Sequence, residues 1–414
     1  MSDARSDSWW HVSLDPAERG DTDANRLRDA QGLPRVNAPG PDGRLPLDYA
    51  GYLGLDALLS AQHPASSVPD ERVFIVVHQL FELVFKQMTF DLGVVAGTME
   101  RLLRLGPDLP ALALAEGEVD DDSDVSAFWR PAITAANRLR HAARAILPPV
   151  MQLMGRGADD DVLFSRVEFN LFRAHLEPSS GFQTAQLRLI QRALGKGPLL
   201  DLRVFPGGAY GQHYTGSPCG HVSLADPVIL RGSAETASPP EHSPAHVAGQ
   251  LDRLVHLVLA RIPALPGAPE PPAVPRLTPA DIDRAVSRFT ATLGPDAPAD
   301  AADDFRDDLE RAAATENARR DTLGASRAGA FTLHASAPGA ALVHVLDRLV
   351  SLDDALHSPR SESFLTVHRK TVRRHVADDS GTGGGGMPYL VTSQRFLLPL
   401  FPALVAYLDL DDPV

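Results

Sequence analysis

Few side chains in this sequence can do chemistry, and they can be weighed one at a time. Fifteen histidines stand beside one cysteine, Cys219, so metal or cofactor chemistry must lean on imidazole or carboxylate. A single cysteine excludes an intrachain disulfide, a four-cysteine zinc site and an iron–sulfur cluster held by this chain alone. The sequence has no HExxH, no histidine pair with zinc-finger companions, and no aspartate alternation ending in Glu as in an EF-hand. A bare divalent-metal site is not indicated.

His368 stands apart. In ESFLTVHRKTVRRH, Phe364, Leu365, His368 and Val372 share one helical stripe, while Arg369, Lys370, Arg373 and Arg374 take the other faces. An imidazole projecting from an apolar face suits the axial ligand of a flat, greasy macrocycle with iron at its centre. It suits equally a core histidine satisfied by a backbone carbonyl. Fourteen positions on lies Thr382, in SGTGGGGMPY, whose glycines let the backbone approach a ligand closely. The run lacks the GK[ST] ending of a phosphate loop, which leaves a flexible linker or a flap that meets a small polar substrate.

His78 lies in the most apolar stretch of the chain, among Phe74, Ile75, Val76, Val77, Phe81 and Phe85, with Glu82 one turn on. Burial there disfavours the imidazolium. The ring either pairs with Glu82 or a carbonyl, or offers a neutral imidazole to a substrate N–H or O–H in a dry pocket. Arg173, in FNLFRAHL, sits beside Phe169, Phe172 and Leu176 with no adjacent carboxylate. A buried guanidinium needs an anion: a distant Asp or Glu, or the carboxylate of a substrate gripped by its planar fork. Tyr49 and Tyr52 read most simply as amphipathic packing residues.

The elements that must position these groups are helical. Residues 1–44 are polar and rich in Asp, Arg, Gly and Pro, and are expected to be a flexible lead-in; a single domain over 45–414 follows. YAGYLGLDALLSAQ places Tyr49, Tyr52, Leu53 and Asp56 at helical steps. Residues 70–104 form the longest expected helix, central to the fold, with Asp70 as its N-cap. A second block is expected from about Ala132 to Met154, interrupted near Pro148 and Pro149, after an acidic, solvated loop, EGEVDDDSD. In the block over 165–195, Pro178 to Gly181 split a short helix from a longer one. Residues 204–279 are a Pro-rich, loop-rich insertion around one helix near 246–261. Thr278 and Asp281 open a further helix toward Arg320, broken near Pro295 and Pro298. Residues 340–357 and 361–377 are helical, and Arg395 to Leu408 is strongly apolar. RAGAFTLHA at 327–335 alternates modestly and suits strand or helix. The fold class expected is all-α.

Composition narrows the partners. Lys plus Arg 39 against Asp plus Glu 53 gives −14 over 414 residues, a surface that repels nucleic acid and anionic membranes. The N-terminus lacks a cationic start followed by an apolar run, and no stretch reaches 18 uninterrupted apolar residues, so a cytoplasmic protein is expected.

Taken together, four blocks in one order resemble the tryptophan 2,3-dioxygenase family. YAGYLGLDALLSAQ with DERVFIVVHQLFELVFKQ is similar to the family's first conserved helices, and FNLFRAHLEPSSGFQTAQLRLI to its FR-x-x-L, SGFQ and QxR segment. GAFTLHASAPG through LDRLVSLDD is a weaker third, and His368 with GTGG at 381–384 the fourth. The resemblance implies a helical bundle with haem b, active as Fe2+, whose iron takes one protein imidazole and leaves the other face for dioxygen. By position, His368 resembles the axial ligand, His78 the distal histidine facing the indole N–H, and Arg173 the carboxylate anchor. Thr382 resembles the loop residue that meets the ammonium and carboxylate, and Phe74, Phe169, Phe172 and Leu176 match the indole pocket. Tyr49 and Tyr52 are similar to residues that the neighbouring subunit contributes, and a homotetramer is implied.

The activity implied is insertion of O2 across the indole C2–C3 bond of L-tryptophan or a close analogue, giving N-formylkynurenine. The alternatives are a haem-dependent monooxygenase or hydroxylase of a substituted tryptophan or tyrosine, and a catalytically silent haem-binding or sensor protein. Departures from the family pattern bear on substrate scope: Gly385, Gly386, Met387 and Pro388 replace its usual Ser-Ser-Gly, and Phe364-Leu365 its aromatic-Arg pair. Covalent haem through Cys219 is not expected, because no CxxCH surrounds it.

Overall fold

The computed structural model describes residues 53–116, 123–155, 162–176, 184–195, 250–266, 276–290, 300–357 and 363–375. The chain divides into two units, Met1–Pro64 and Ala65–Val414. In the first, α1 (Leu55–Leu59) follows Gly54, whose φ of 63° is the left-handed conformation that glycine tolerates. Tyr49 and Tyr52 lie outside the described residues.

The second unit is built on α2 (Pro69–Arg104), as the sequence leads one to expect. Its start differs by one residue and in kind. Val68 is the N-cap, without a side-chain hydrogen bond, Pro69 takes the first turn, and Asp70 is not the cap. The Asp70 carboxylate instead accepts the Ser165 N–H at 2.6 Å. Although α2 is long and apolar enough to cross a membrane, Val77, Phe81, Phe85, Met88, Leu92, Val95 and Met99 are buried in the core. It packs against α4 (Asp124–His141), α5 (Leu147–Gln152), α6 (Arg166–Phe172), α7 (Ala185–Ala193) and α8 (Leu251–Leu259); α3 (Leu109–Ala113) closes its C-terminal end.

The second block begins eight residues earlier than the sequence suggests and is not interrupted. Ser123 caps α4, its Oγ accepting the Ser126 N–H at 3.2 Å, and Pro131 lies inside the helix. A π turn, Ala142–Ile146, then leads into α5, where Pro148 and Pro149 occupy first-turn positions that need no donor. A proline inside a helix normally costs a bond; at Pro131 the packing of the neighbouring Trp129, fully buried with its Nε1–H on the Leu112 carbonyl at 3.2 Å, offsets it.

Five further helices complete the described residues: α9 (Pro279–Thr290), α10 (Ala301–Asp321), α11 (Gly324–Ser336), α12 (Ala341–His357) and α13 (Phe364–His375), the last of which carries His368. Thr278 and Asp281 do open α9, as a reciprocal box: the Asp281 carboxylate accepts the Thr278 N–H at 2.9 Å and Thr278 Oγ1 accepts the Asp281 N–H at 3.3 Å. The ambiguous 327–335 is helix, inside α11. There Gly329 lets α11 press on α8: a Cβ would stand 1.8 Å from the Leu259 carbonyl oxygen. The described residues contain no strand, only an isolated bridge between Glu116 and Ala340, so the all-α fold is observed. For the site, the relevant packing is that α13 lies on α5, α6 and α12, while α6 also lies on α2.

Candidate functional site

On α2 the imidazole of His78 points back along its helix, and Nδ1 lies 2.8 Å from the Phe74 carbonyl oxygen. A carbonyl can only accept, so Nδ1 carries the proton and donates, and Nε2 carries the lone pair. Glu82, the rival partner, is taken by α7: Gln186 Nε2 donates to its carboxylate at 2.8 Å and to its backbone oxygen at 2.9 Å. Burial pulls the His78 pKa below its ordinary 6.5, against the small opposing effect of the Phe74 carbonyl.

His368 on α13 is lowered too, to about 3, first by burial and then by the nearness of His78. The two imidazoles therefore sense one another across the space between α2 and α13. Both residues keep part of their surface open.

Aromatic rings run from one imidazole to the other. His368 meets Phe364 (centroids 5.7 Å apart), Phe364 meets Phe81 edge-on (5.0 Å), and Phe81 meets His78 (6.1 Å). On the far side of His78, Phe74 lies 4.0 Å from its ring, 6.0 Å from Phe169 and 5.7 Å from Phe172, and the last two cross at 87°. Phe172 is fully buried and Leu176 packs on the same core. Directly after Phe172, half-buried Arg173 heads the 3-10 turn Arg173–His175.

So the structure links His78, His368, Phe74, Phe169 and Phe172 through ring contacts, over almost three hundred residues of sequence, with Arg173 next in the chain after Phe172 and Leu176 packed on the core. Thr382, Tyr49 and Tyr52 lie outside the described residues. Sequence reasoning did not single out Phe164, 5.9 Å from Phe169 and 6.3 Å from Phe172, and named Phe81 only as a neighbour of His78. A signal for Phe164 exists: Ser165 caps α6, accepting the Glu168 N–H at 3.4 Å, and an S-x-x-E box preceded by Phe164 and followed by Phe169 is a hydrophobic staple.

A second concavity, about 330 Å³, lies between α9 and α10, lined by Leu277, Ile282, Arg306, Ala313 and Asn317 among others. It offers no imidazole, and its polar groups are engaged: Arg306 Nη1 with Asp283 at 2.7 Å, and the Asn317 amide with the Leu277 backbone at 2.9 and 3.0 Å. No cluster of three or more metal-ligating side chains occurs among the described residues. Chemistry at the aromatic site therefore turns on two imidazoles kept neutral by burial and connected through apolar rings.

The chain is also similar to known proteins. The sequence profile of the family described as tryptophan 2,3-dioxygenase matches residues 40–103. The chain is similar to the tryptophan 2,3-dioxygenase of Anaeromyxobacter sp. (strain K), 28% identical over 363 residues that cover 87% of this chain and 94% of that protein. It is 34% identical over 155 residues to that of Bdellovibrio bacteriovorus, covering 36% of this chain and 35% of the relative. To that of Anaeromyxobacter dehalogenans it is 32% identical over 205 residues, 48% of this chain and 64% of the relative. A match along nearly the whole length of one relative, together with the profile over the His78 helix, makes the chain similar to the tryptophan 2,3-dioxygenases, which are oxidoreductases.

Proposed function

We propose that this protein is a haem-dependent dioxygenase that adds both atoms of O2 across the indole C2–C3 bond of L-tryptophan or a close analogue, yielding an N-formylkynurenine. The carrying observation is the His78–His368 pair: two imidazoles on packed helices, coupled to each other and joined by aromatic rings.

The residues fit a haem. His368 offers an imidazole kept neutral by burial, hence with a lone pair to give, beside Phe364, Phe81 and Phe85, which supply flat apolar walls. Bound there, haem would supply the ferrous iron and the oxygen chemistry that no side chain here can. The chain supplies orientation and dryness. His78 Nε2, its tautomer set by Phe74, accepts the indole N–H and adds no cation beside the reacting carbon. Phe74, Phe164, Phe169 and Phe172 exclude water from the ring. Arg173 pairs with the carboxylate, with Thr382 of the glycine run as the partner carried over from the family resemblance. Leaving those polar groups unpaired penalises bare indoles.

The test is incubation of the reduced, haem-loaded protein with L-tryptophan, β-methyltryptophan and L-tyrosine under 18O2, followed by mass spectrometry. Two labelled oxygens in a formylkynurenine are expected; a single oxygen, or a product from tyrosine alone, rejects dioxygenation of an indole. The haem assignment has its own check. His368→Ala should lose stoichiometric haem, and an unchanged Soret band with the same axial ligation would overturn it.

A further inference from the structure

We propose that Asp70, which belongs to neither the haem wall nor the substrate contacts, is a positioning residue that fixes where Arg173 and the Phe169–Phe172 wall stand relative to His78. The proposal rests on the reading of Arg173 as carboxylate anchor and extends it to a residue outside the site.

The geometry is that of a hinge pin. The Asp70 carboxylate accepts the Ser165 N–H at 2.6 Å, a charge-assisted contact between the first turn of α2 and the cap residue of α6. Counting from that contact, His78 is eight residues along α2 and Arg173 is eight residues along α6 and its 3-10 extension. At the helical rise both arms are about 12 Å long. Asp70 and Ser165 thus form the common origin of two arms whose far ends hold the indole acceptor and the carboxylate anchor.

The pin matters because the rest of the α6 packing is weakly directional. This helix has seven residues, and it meets α2 ring against ring, Phe169 and Phe172 on Phe74. Such contacts hold a distance but let a short helix slide or swing; a hydrogen bond at 2.6 Å does not. Without the pin the start of α6 is free to slide, a slide of about 1 Å carries Arg173 and the Phe169–Phe172 wall with it, and a misplacement of that size can cost roughly a hundredfold in a positioned reaction. The neighbouring carboxylate serves elsewhere, since Glu71 accepts the Ala65 and Ser66 N–H groups at 2.7 Å each and so holds the segment before α2. Ser165 also keeps its own capping role through Oγ, so loss of the Asp70 contact leaves the α6 cap in place.

Asp70→Ala and Asp70→Asn in the full haem-loaded chain test this, because the Asn Oδ1 still accepts an N–H. For Asp70→Ala the KM for L-tryptophan should rise about tenfold or more with a smaller fall in kcat, while the Soret spectrum and helix content stay as in the parent. Asp70→Asn should recover most of that KM. Hydrogen exchange of the α6 amides, measured without substrate, should quicken in Asp70→Ala and return toward the parent in Asp70→Asn. Unchanged exchange overturns the pin. Quickened exchange with unchanged KM, or an Asn variant no better than Ala, overturns the positioning role. Should the parent itself fail to oxidise L-tryptophan, the functional reading falls while the exchange measurement still decides the pin.

Discussion

Substituting His78 probes the tautomer that its own helix imposes. The Phe74 carbonyl oxygen, 2.8 Å from Nδ1, fixes the proton there and leaves Nε2 as acceptor. In His78→Ala an indole N–H that enters the site meets no acceptor, and a buried donor left unpaired costs about 1–3 kcal/mol. At about 1.36 kcal/mol per factor of ten, kcat/KM for L-tryptophan should fall roughly 5- to 150-fold. His78→Gln, which returns an amide oxygen, should recover part of the loss. The 1-methyl analogue has no N–H to donate and should be indifferent to either change. The pH profile has a definite sign. Burial lowers the His78 pKa, so the neutral acceptor form persists below 6.5, and the acid limb of log kcat/KM must lie below that value. The assay is steady-state product formation from both substrates between about pH 5 and about pH 8, the range in which histidine ordinarily titrates. A loss under twofold in His78→Ala, equal losses for both substrates, or an acid limb at or above 6.5 would refute the assignment.

Arg173→Ala should lower kcat/KM for L-tryptophan by about 2 kcal/mol or more, mostly through KM, as expected when a charged partner is removed from a desolvated pair. Near-parental kinetics would remove Arg173 from substrate binding. Gly329→Ala should depress the melting temperature, because its Cβ would meet the Leu259 carbonyl oxygen at 1.8 Å and force α8 and α11 apart, an overpacking cost of about 1–3 kcal/mol. An open helical glycine would instead gain up to about 1 kcal/mol from the same change, so the sign of the shift decides. Arg138→Met should destabilise by roughly 3 kcal/mol in urea titration. It strips Asp91, whose side chain is 1% exposed, of the guanidinium that binds it through Nε and Nη2. Adding Asp91→Asn to that variant should restore part of the loss, and no restoration would assign it to packing.

What the sequence reveals follows the range of the interactions involved. α2 is legible because apolar residues recur on nearly all its faces over 36 positions, and the α9 box because Thr278 and Asp281 are three apart. Asp70 reads as a cap because its true partner, Ser165, is 95 residues away, and a local rule assigns a carboxylate before a helix to the nearest amide. Pro148 and Pro149 read as breaks because their compensation lies in a π turn that leads directly into α5, which composition does not announce. At the site, residue types are readable while adjacency is not. Nothing local joins Phe81 to Phe364, yet that contact places His78 and His368 on one aromatic surface. Phe164 is within reach of sequence reasoning through its capping box, but the stronger local signal in that segment, Pro178 to Gly181, lies at its other end.

The coupling between the two histidines has a consequence for how the site works. A charge on either ring opposes a charge on the other, which is part of why His368 falls to about 3. A proton is therefore a poor competitor for the His368 lone pair at any physiological pH, and a haem iron held there, as proposed, would have no proton to displace from it. Any positive centre held at His368 acts on His78 in the same sense as a proton there would, disfavouring the imidazolium. Binding at one imidazole thus reinforces the neutral, accepting form of the other, the form already selected by burial and by the Phe74 carbonyl. A carboxylate in place of either histidine would act in the opposite direction, raising its neighbour's pKa and inviting a proton into the path of the indole N–H. Two imidazoles and aromatic walls, rather than an imidazole and an acid, are what keep the acceptor available.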